Sequence, residues 1–230
     1  MADNAKKLFV ISLGGSLVFP DEIDIRFLKN FKNLIARQIK RGGKFIFVVG
    51  GGKICRKYQK ALREVANASV NDIEWLGIYT TKTNAELVRL SFGKLAYPNV
   101  ASDPTKKTDF KQPILTASGW KPGASTDRVA IKLAETYGSK TVINLSNIDY
   151  VYTKDPRKFK DAKKITDISW AGFRQIVGNK WDPGKNLPFD PVAAKLAQNL
   201  GLRVIIANGK NLKNLQNILE GKKFQGTTIS

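Results

Sequence analysis

Leu8-Phe9-Val10-Ile11-Ser12-Leu13-Gly14-Gly15-Ser16 is a short, almost wholly apolar run that stops at two glycines. Its length fits a buried strand better than a buried helix. The glycines let the backbone turn sharply and bring N–H groups close to an anion, although a plain tight turn would use them too. Residues 44–49 (KFIFVV) repeat the pattern and run into Gly50-Gly51-Gly52. Between the two runs, residues 24–41 read as a helix, with Phe27, Leu28, Phe31, Leu34 and Ile35 at helical spacing and Gly42-Gly43 as its stop. Strand, helix, strand, with strands apolar on both faces, specifies a mainly parallel sheet covered by helices on each side.

The alternation continues along the chain. Helices are expected at about 53–66, 81–95, 125–137, 167–177, 191–200 and 211–220. Further strands are expected at 112–116, 141–145 and 203–207, with 227–229 closing an edge. Residues 97–112 are polar, carry two prolines, and read as a loop. No repeat or low-complexity segment interrupts the pattern, so residues 1–230 are expected to form one domain. In such sheets ligands bind beyond the carboxyl ends of the strands. Here those ends carry Gly14-Gly15-Ser16, Gly50-Gly51-Gly52, Ser118-Gly119 and Ser146-Asn147.

Composition narrows the chemistry. The chain has no histidine, so it has no histidine base, no Ser-His-Asp triad and no histidine-held zinc. One cysteine, Cys55, excludes a disulfide framework and a multi-cysteine metal site. Lys+Arg number 39 against 19 Asp+Glu, a net charge of +20 that points to an anionic partner or to a heavily solvated basic surface. The N-terminal apolar run lacks the features of a signal peptide, and no stretch approaches the ~18 apolar residues of a membrane helix. A soluble, cytoplasmic protein without a membrane partner is expected.

The motifs each admit a bland reading and a chemical one. Gly50-Gly51-Gly52-Lys53 opens a helix, whose free N–H groups and dipole favour phosphate. It is not a P-loop, because the GxxxxGK(S/T) pattern is absent, nor a dinucleotide fingerprint, because Cys55 stands where a third spaced glycine would fall. Arg56, three residues into that helix, can reach back to an anion or simply face solvent. In Gly119-Trp120-Lys121-Pro122-Gly123-Ala124-Ser125-Thr126-Asp127, Ser125 or Thr126 can cap the following helix or hold a phosphate. Asp127 favours the helix dipole in its first turn and, chemically, would orient groups around a reacting phosphate. After the fourth strand, residues 147–156 offer Tyr152 for base stacking and Asp155 as a polar anchor, or form a hairpin with a core tyrosine.

Taken in order, the GGS turn, the GGGK turn, PGASTDRVA, SNIDYVYTKDP and FDPVAAK resemble the amino acid kinase superfamily, and within it the archaeal-type UMP kinase branch. The resemblance runs from Phe9 to the closing GTTI. It implies an α/β fold, a three-layer αβα sandwich of carbamate kinase type with a mainly parallel sheet of about eight strands. It implies an acceptor-binding N-terminal half and an ATP-binding C-terminal half. It also implies phosphoryl transfer from ATP, with Mg2+, to UMP, giving UDP and ADP in pyrimidine nucleotide synthesis, and assembly as a homo-oligomer, a hexamer.

By the same resemblance, Gly14, Gly15 and Gly52 contact the ATP phosphates with Arg56 nearby, and Gly51 contacts the acceptor. Glu74 holds the ribose hydroxyls, with Asp72 its near rival. Gly119, Trp120, Lys121, Pro122, Gly123, Ala124 and Ser125 line the acceptor pocket, and Thr126 bonds the acceptor phosphate. Ser146, Tyr152 and Asp155 hold the adenosine end. Three departures stand out: Ile11-Ser12-Leu13 where many superfamily kinases carry a lysine, Lys82 where the branch has arginine, and Trp120, Lys121 and Tyr150 in place of smaller or less charged residues. Acceptor identity turns on the last group.

Phosphoryl transfer depends mostly on positioning and charge neutralisation, so a chain without histidine is adequate for it. Lys53, Arg56 and Lys195 are the cationic candidates for the developing charge, Asp127 would orient them, and Mg2+ would be held by ATP phosphates and water. Lys195 reads equally well as an exposed helix lysine. Two other readings stay open. One is a kinase of this superfamily acting on another carboxylate or phosphate acceptor. The other is a regulatory or nucleic-acid-binding module that kept a nucleotide pocket. Residues 25–63 carry twelve basic and no acidic residues, but no RNA-binding aromatic platform accompanies them.

Overall fold

The computed structural model describes residues 7–180 and 187–230. Five parallel strands form the centre of its sheet: β1 (Leu8–Leu13), β2 (Lys44–Val49), β3 (Ile114–Ala117), β4 (Thr141–Ser146) and β8 (Arg203–Asn208). A short hairpin, β5 (Val151–Tyr152) and β6 (Lys164–Ile165), stands apart, and β7 (Asp167–Ile168) and β9 (Thr227–Ile229) complete the sheet. The order is β3-β2-β1-β4-β8-β9-β7, with β9 antiparallel to β8 and β7 parallel to β9. The helices are α1 (Gly15–Val18), α2 (Ile25–Lys40), α3 (Gly52–Val65), α4 (Val70–Phe92), α5 (Thr126–Tyr137), α6 (Trp170–Val177), α7 (Pro191–Asn199) and α8 (Leu212–Leu219).

Alternate residues of each central strand serve opposite faces, as the pleat requires. Val10, Ile46, Val48 and Val142 join one buried cluster with Val129 and Leu133 of α5, Phe173 of α6 and Ala193 of α7. Ile11, Leu13, Phe45, Phe47 and Leu145 join the other, with Phe31 and Leu34 of α2, Val88 of α4 and Leu215 of α8. Phe31 lies with its ring centroid 5.3 Å from Phe47 and 6.2 Å from Phe92, tying α2 and α4 to the sheet. A buried phenylalanine contributes about 1.5–3 kcal/mol. The result is the three-layer αβα sandwich expected from the strand pattern.

Several expected elements move. The helix expected at 81–95 begins at Val70, where Ser69 and Asp72 form a reciprocal capping box, and gives way after Phe92 to a 3-10 turn. Its first three turns carry mixed polar and apolar residues that hide its period. The helix expected at 167–177 is a two-residue strand followed by α6, because Ser169 caps the helix there. Residues 227–229 are inside the sheet rather than at its edge, which β7 occupies. About eight strands were expected; the main sheet has seven, and the hairpin makes a separate pair.

Candidate active site

The carboxyl ends of β1 and β2 meet backbone to backbone. A Cβ placed on Gly15 would fall 2.0 Å from Gly52 N and 2.5 Å from Gly50 C, and one on Gly50 would fall 2.7 Å from Gly15 N. Gly52 has φ +70°, and its Cβ would meet Gly15 O at 2.5 Å. The glycines are therefore required by this contact itself, before any ligand is considered. Gly14 and Gly50 donate their N–H groups to Leu145 O and Leu13 O, which fixes both turns to the sheet. Among the described residues, the N–H groups of Gly15, Gly51 and Gly52 have no hydrogen-bond acceptor. Three such donors on fixed, closely apposed turns, one of them opening α3, form a cradle suited to phosphate oxygens.

Asn84 on α4 holds the second turn from behind. Only 5% exposed, its amide donates to Gly50 O at 2.9 Å and Gly51 O at 3.0 Å. One helical turn earlier, Thr81 donates to Ile78 O and accepts from Gly119 N at 2.8 Å. A single face of α4 thus sets the glycine turn and the start of the 119–125 loop. Lys82 points to solvent.

The N-termini of α5 and α7 meet beside β1. Ser125 caps α5 and donates to the Asp190 carboxylate, which caps α7 through Val192 N at 2.7 Å. Asp190 N in turn donates to Asp127 at 3.1 Å. Asn144 of β4 donates to the other Asp127 oxygen at 3.2 Å, and Ser12 of β1 makes a long bond to it, at 3.4 Å. Removal from water pushes the Asp127 carboxyl up to about 7, and the nearby Asp190 carboxylate adds to the rise. The hydrogen bonds from Asp190 N, Ser12 and Asn144 pull it partly back. Ser12 stands on the strand where many superfamily kinases carry lysine, and it bonds directly to Asp127.

The 119–125 loop is clasped by α4. Glu74 accepts from Gly123 N at 2.5 Å, and Arg128 donates to Gly123 O at 3.3 Å. Gly123 needs its glycine, with φ +78°. Lys121 lies over the Trp120 ring, 4.1 Å from its centroid, and Trp120 packs against the buried cluster of that face. Pro122, Ala124 and Thr126 are partly buried along the same loop and the first turn of α5. Asp72, the near rival of Glu74, is exposed and engaged with Ser69 in the capping box.

The cationic candidates are less gathered. Lys53 is paired with Asp21 at the surface. Arg56 is exposed on α3, one turn beyond the glycines, and Lys195 is exposed on α7. Among the described residues, neither makes an ion pair. On the other side, Ser146 ends β4 and accepts from Ile148 N at 3.3 Å. Tyr152 lies in the hairpin, partly buried. Asp155 is held by Arg157, whose Nε and Nη2 lie 3.0 and 3.1 Å from its oxygens, and this pairing keeps its carboxyl below the ordinary value.

Four residues of this network escaped the sequence reading in these roles: Asn84, Thr81, Asn144 and Asp190. Asn144 was visible as a polar residue inside the apolar TVINL run, and Asp190 as the residue before a proline-led helix, the signature of a cap.

Known proteins bear on the same arrangement. The amino acid kinase family matches residues 7–208 of the chain. The uridylate kinase of Thermoplasma volcanium is 36% identical over 96% of each chain. That of Pyrococcus abyssi is 33% identical, over 96% of this chain and 98% of its own. The crystal structure of uridylate kinase from Archaeoglobus fulgidus superposes with a TM-score of 0.81 at 30% identity, over 97% of this chain and all of that one.

Proposed function

The chain belongs to the amino acid kinase family, and from that premise we propose that it transfers the γ-phosphoryl group of ATP to UMP, giving ADP and UDP. The observation that carries the proposal is the fixed apposition of the Gly14-Gly15 and Gly50-Gly51-Gly52 turns, with free N–H groups between an acceptor loop and a nucleotide-side hairpin. Full-length similarity to uridylate kinases supports the acceptor.

In this reading Gly15 and Gly52 hold the β- and γ-phosphates through backbone N–H groups, and Gly51 turns its N–H to the acceptor phosphate. A UMP phosphate oxygen, already anionic at neutral pH, attacks the γ-phosphorus. The bond from that phosphorus to the β,γ-bridging oxygen breaks, and ADP leaves with the electron pair. No general base is needed. Thr126 and the α5 N-terminus face the acceptor phosphate, and Arg56 swings in toward the transferring group. Lys53 does so only by leaving Asp21. Asp127 keeps the α5 and α7 N-termini in register. Glu74 exchanges its Gly123 bond for the ribose hydroxyls, with its second oxygen available for the same diol.

Mg2+ would be held by the ATP phosphates and water. No group of three or more Asp, Glu or Cys among the described residues could cage it, and the Asp127 and Asp190 oxygens are engaged by protein donors. The residues fit a metal carried on the phosphates, which supplies charge neutralisation there.

We take the protein to be cytoplasmic; no helix of the described residues is long and apolar enough to cross a membrane. We take it to assemble as a homo-oligomer, a hexamer. Trp75, Tyr79 and Leu90 are exposed on one face of α4 at 37%, 62% and 63%, with the charged Glu86 between them, a mixed face that a second copy would cover. Light scattering at the mass of a monomer would contradict this. The function is tested by ADP release with Mg-ATP against UMP, CMP, dUMP, N-acetylglutamate, glutamate, aspartate and carbamate. Turnover with UMP well above the others is expected. Turnover with a different acceptor would keep the fold and shift the assignment to Trp120, Lys121 and Tyr150.

A further inference from the structure

The opposite end of the sheet carries a second concentration of positive charge. At the amino ends of three adjacent strands, β1, β4 and β8, the chain places Lys7, Lys140 and Arg203. Thr141 is in register with Arg203, and neighbouring strands are ~4.8 Å apart. All three cations line one cavity of about 270 Å3. Its floor is apolar: Phe9, Ile143 and Ile205 project from the three strands to the α2–α8 face and meet Ile218 of α8. No Asp or Glu lines the cavity, and none of the three cations makes an ion pair among the described residues.

The arginine is held for use rather than neutralised. Its Nε and Nη2 both rest on the uncharged Thr141 hydroxyl, at 3.3 and 3.2 Å, which fixes the plane of the guanidinium and leaves its charge uncompensated. Thr141 is braced in turn: Ser139, 9% exposed, donates to its carbonyl at 3.0 Å. Lys7 lies 5.2 Å over the Phe9 ring. Three like charges around one hollow repel one another, and a bound anion removes that cost. A braced guanidinium beside two ammonium groups suits a phosphate better than a carboxylate, because phosphate offers more acceptor oxygens and more charge. The volume lies below the ~300–1,000 Å3 of pockets for larger ligands, so a whole nucleoside triphosphate does not fit.

We propose that this cavity is a second anion site, for a small phosphate or pyrophosphate group, at the end of the sheet opposite the glycine turns and independent of which acceptor the enzyme uses. The competing explanation is that the cations merely balance the C-terminal dipole of α5, whose cap Gly138 also lines the cavity.

The test is calorimetric titration of inorganic pyrophosphate into the intact protein and into the Lys140→Ala/Arg203→Ala double variant, at constant ionic strength. The wild type is expected to bind one equivalent more than the variant, or to bind that equivalent at least about tenfold more tightly, the worth of a charge-assisted bond. Turnover at saturating substrates should be unchanged, since neither residue is near the glycine turns. Tungstate soaked into crystals should give a peak between Lys140 and Arg203. Equal stoichiometry and affinity in the two proteins would overturn the proposal. So would a variant that only melts earlier, which is the dipole explanation, or tungstate confined to the glycine turns.

Discussion

The glycine turns and the 148–165 hairpin both flank the candidate active site, yet they are held in opposite ways. At the turns, backbone lies on backbone at distances that exclude a single Cβ, and Asn84 pins two carbonyls from the buried side. In the hairpin only the base is anchored, by the buried Val151, whose N–H donates to Thr227 Oγ1 at 2.8 Å. Beyond it the chain is mostly exposed and is tied by surface pairs, Lys154 with Asp161 at 2.6 Å and Arg157 with Asp155 at 3.0 Å. Exposed pairs contribute about 0–1 kcal/mol, and segments with few buried contacts open at low free-energy cost. On the proposed function, the difference suits each region to its part. A phosphate end must be set before substrate arrives, because preorganised N–H groups need no rearrangement in the transition state. A nucleoside end can close around its ligand.

The comparison breaks most directly at Gly15. Gly15→Ala places a methyl group inside the Gly50–Gly52 backbone, where no side chain can yield. A loss of about 3 kcal/mol of stability or more is expected, with activity falling below detection. Wild-type turnover in that variant would refute a rigid phosphate end. Asn84→Ala comes next. It leaves the Gly50 and Gly51 carbonyls without their donor, at a cost of about 1–3 kcal/mol. Steady-state kinetics should show kcat falling more than KM rises, since the turn is disordered rather than removed.

Asp127 sharpens the comparison through pH. Its folded-state value of about 7 lies above the ordinary 3.8, so between those values the native protein keeps a proton that the unfolded chain releases. Stability from this group therefore falls as pH rises across that window and is level above it. Urea midpoints from pH 5 to 8 should decline in the wild type relative to Asp127→Asn, whose profile lacks this slope. The smallest effect belongs to the hairpin. Arg157→Ala should leave stability within about 1 kcal/mol of wild type. It frees the Asp155 carboxylate, so KM for ATP should drop while kcat holds. A change in kcat there would erase the distinction between the two regions.

The sheet was legible because its strands are apolar on both faces and end in glycine or small polar residues: 8–13, 44–49 and 141–145 each gave a strand in place. The first half of α4 was not, because a helix lying half exposed carries Trp75 and Tyr79 outside and Thr80, Thr81 and Asn84 inside, inverting the usual pattern. In the site, the glycines were found for their approach to an anion, but their contact with each other is a long-range fact that spacing does not encode. Asp190 drew notice only through its motif, since a cap and a bridge between helices look alike in one dimension.

Hydrogen exchange of the free protein and of its complex with Mg-ATP tests the central contrast most directly. The amides of Gly14 and Gly50, bonded to Leu145 O and Leu13 O, should be protected before nucleotide is added, whereas those of Gly15, Gly51 and Gly52 should gain protection with it. Residues 153–164 should exchange freely until it binds. Equal protection of both segments in the free protein, or Gly14 and Gly50 amides that become protected only with nucleotide, would contradict the contrast.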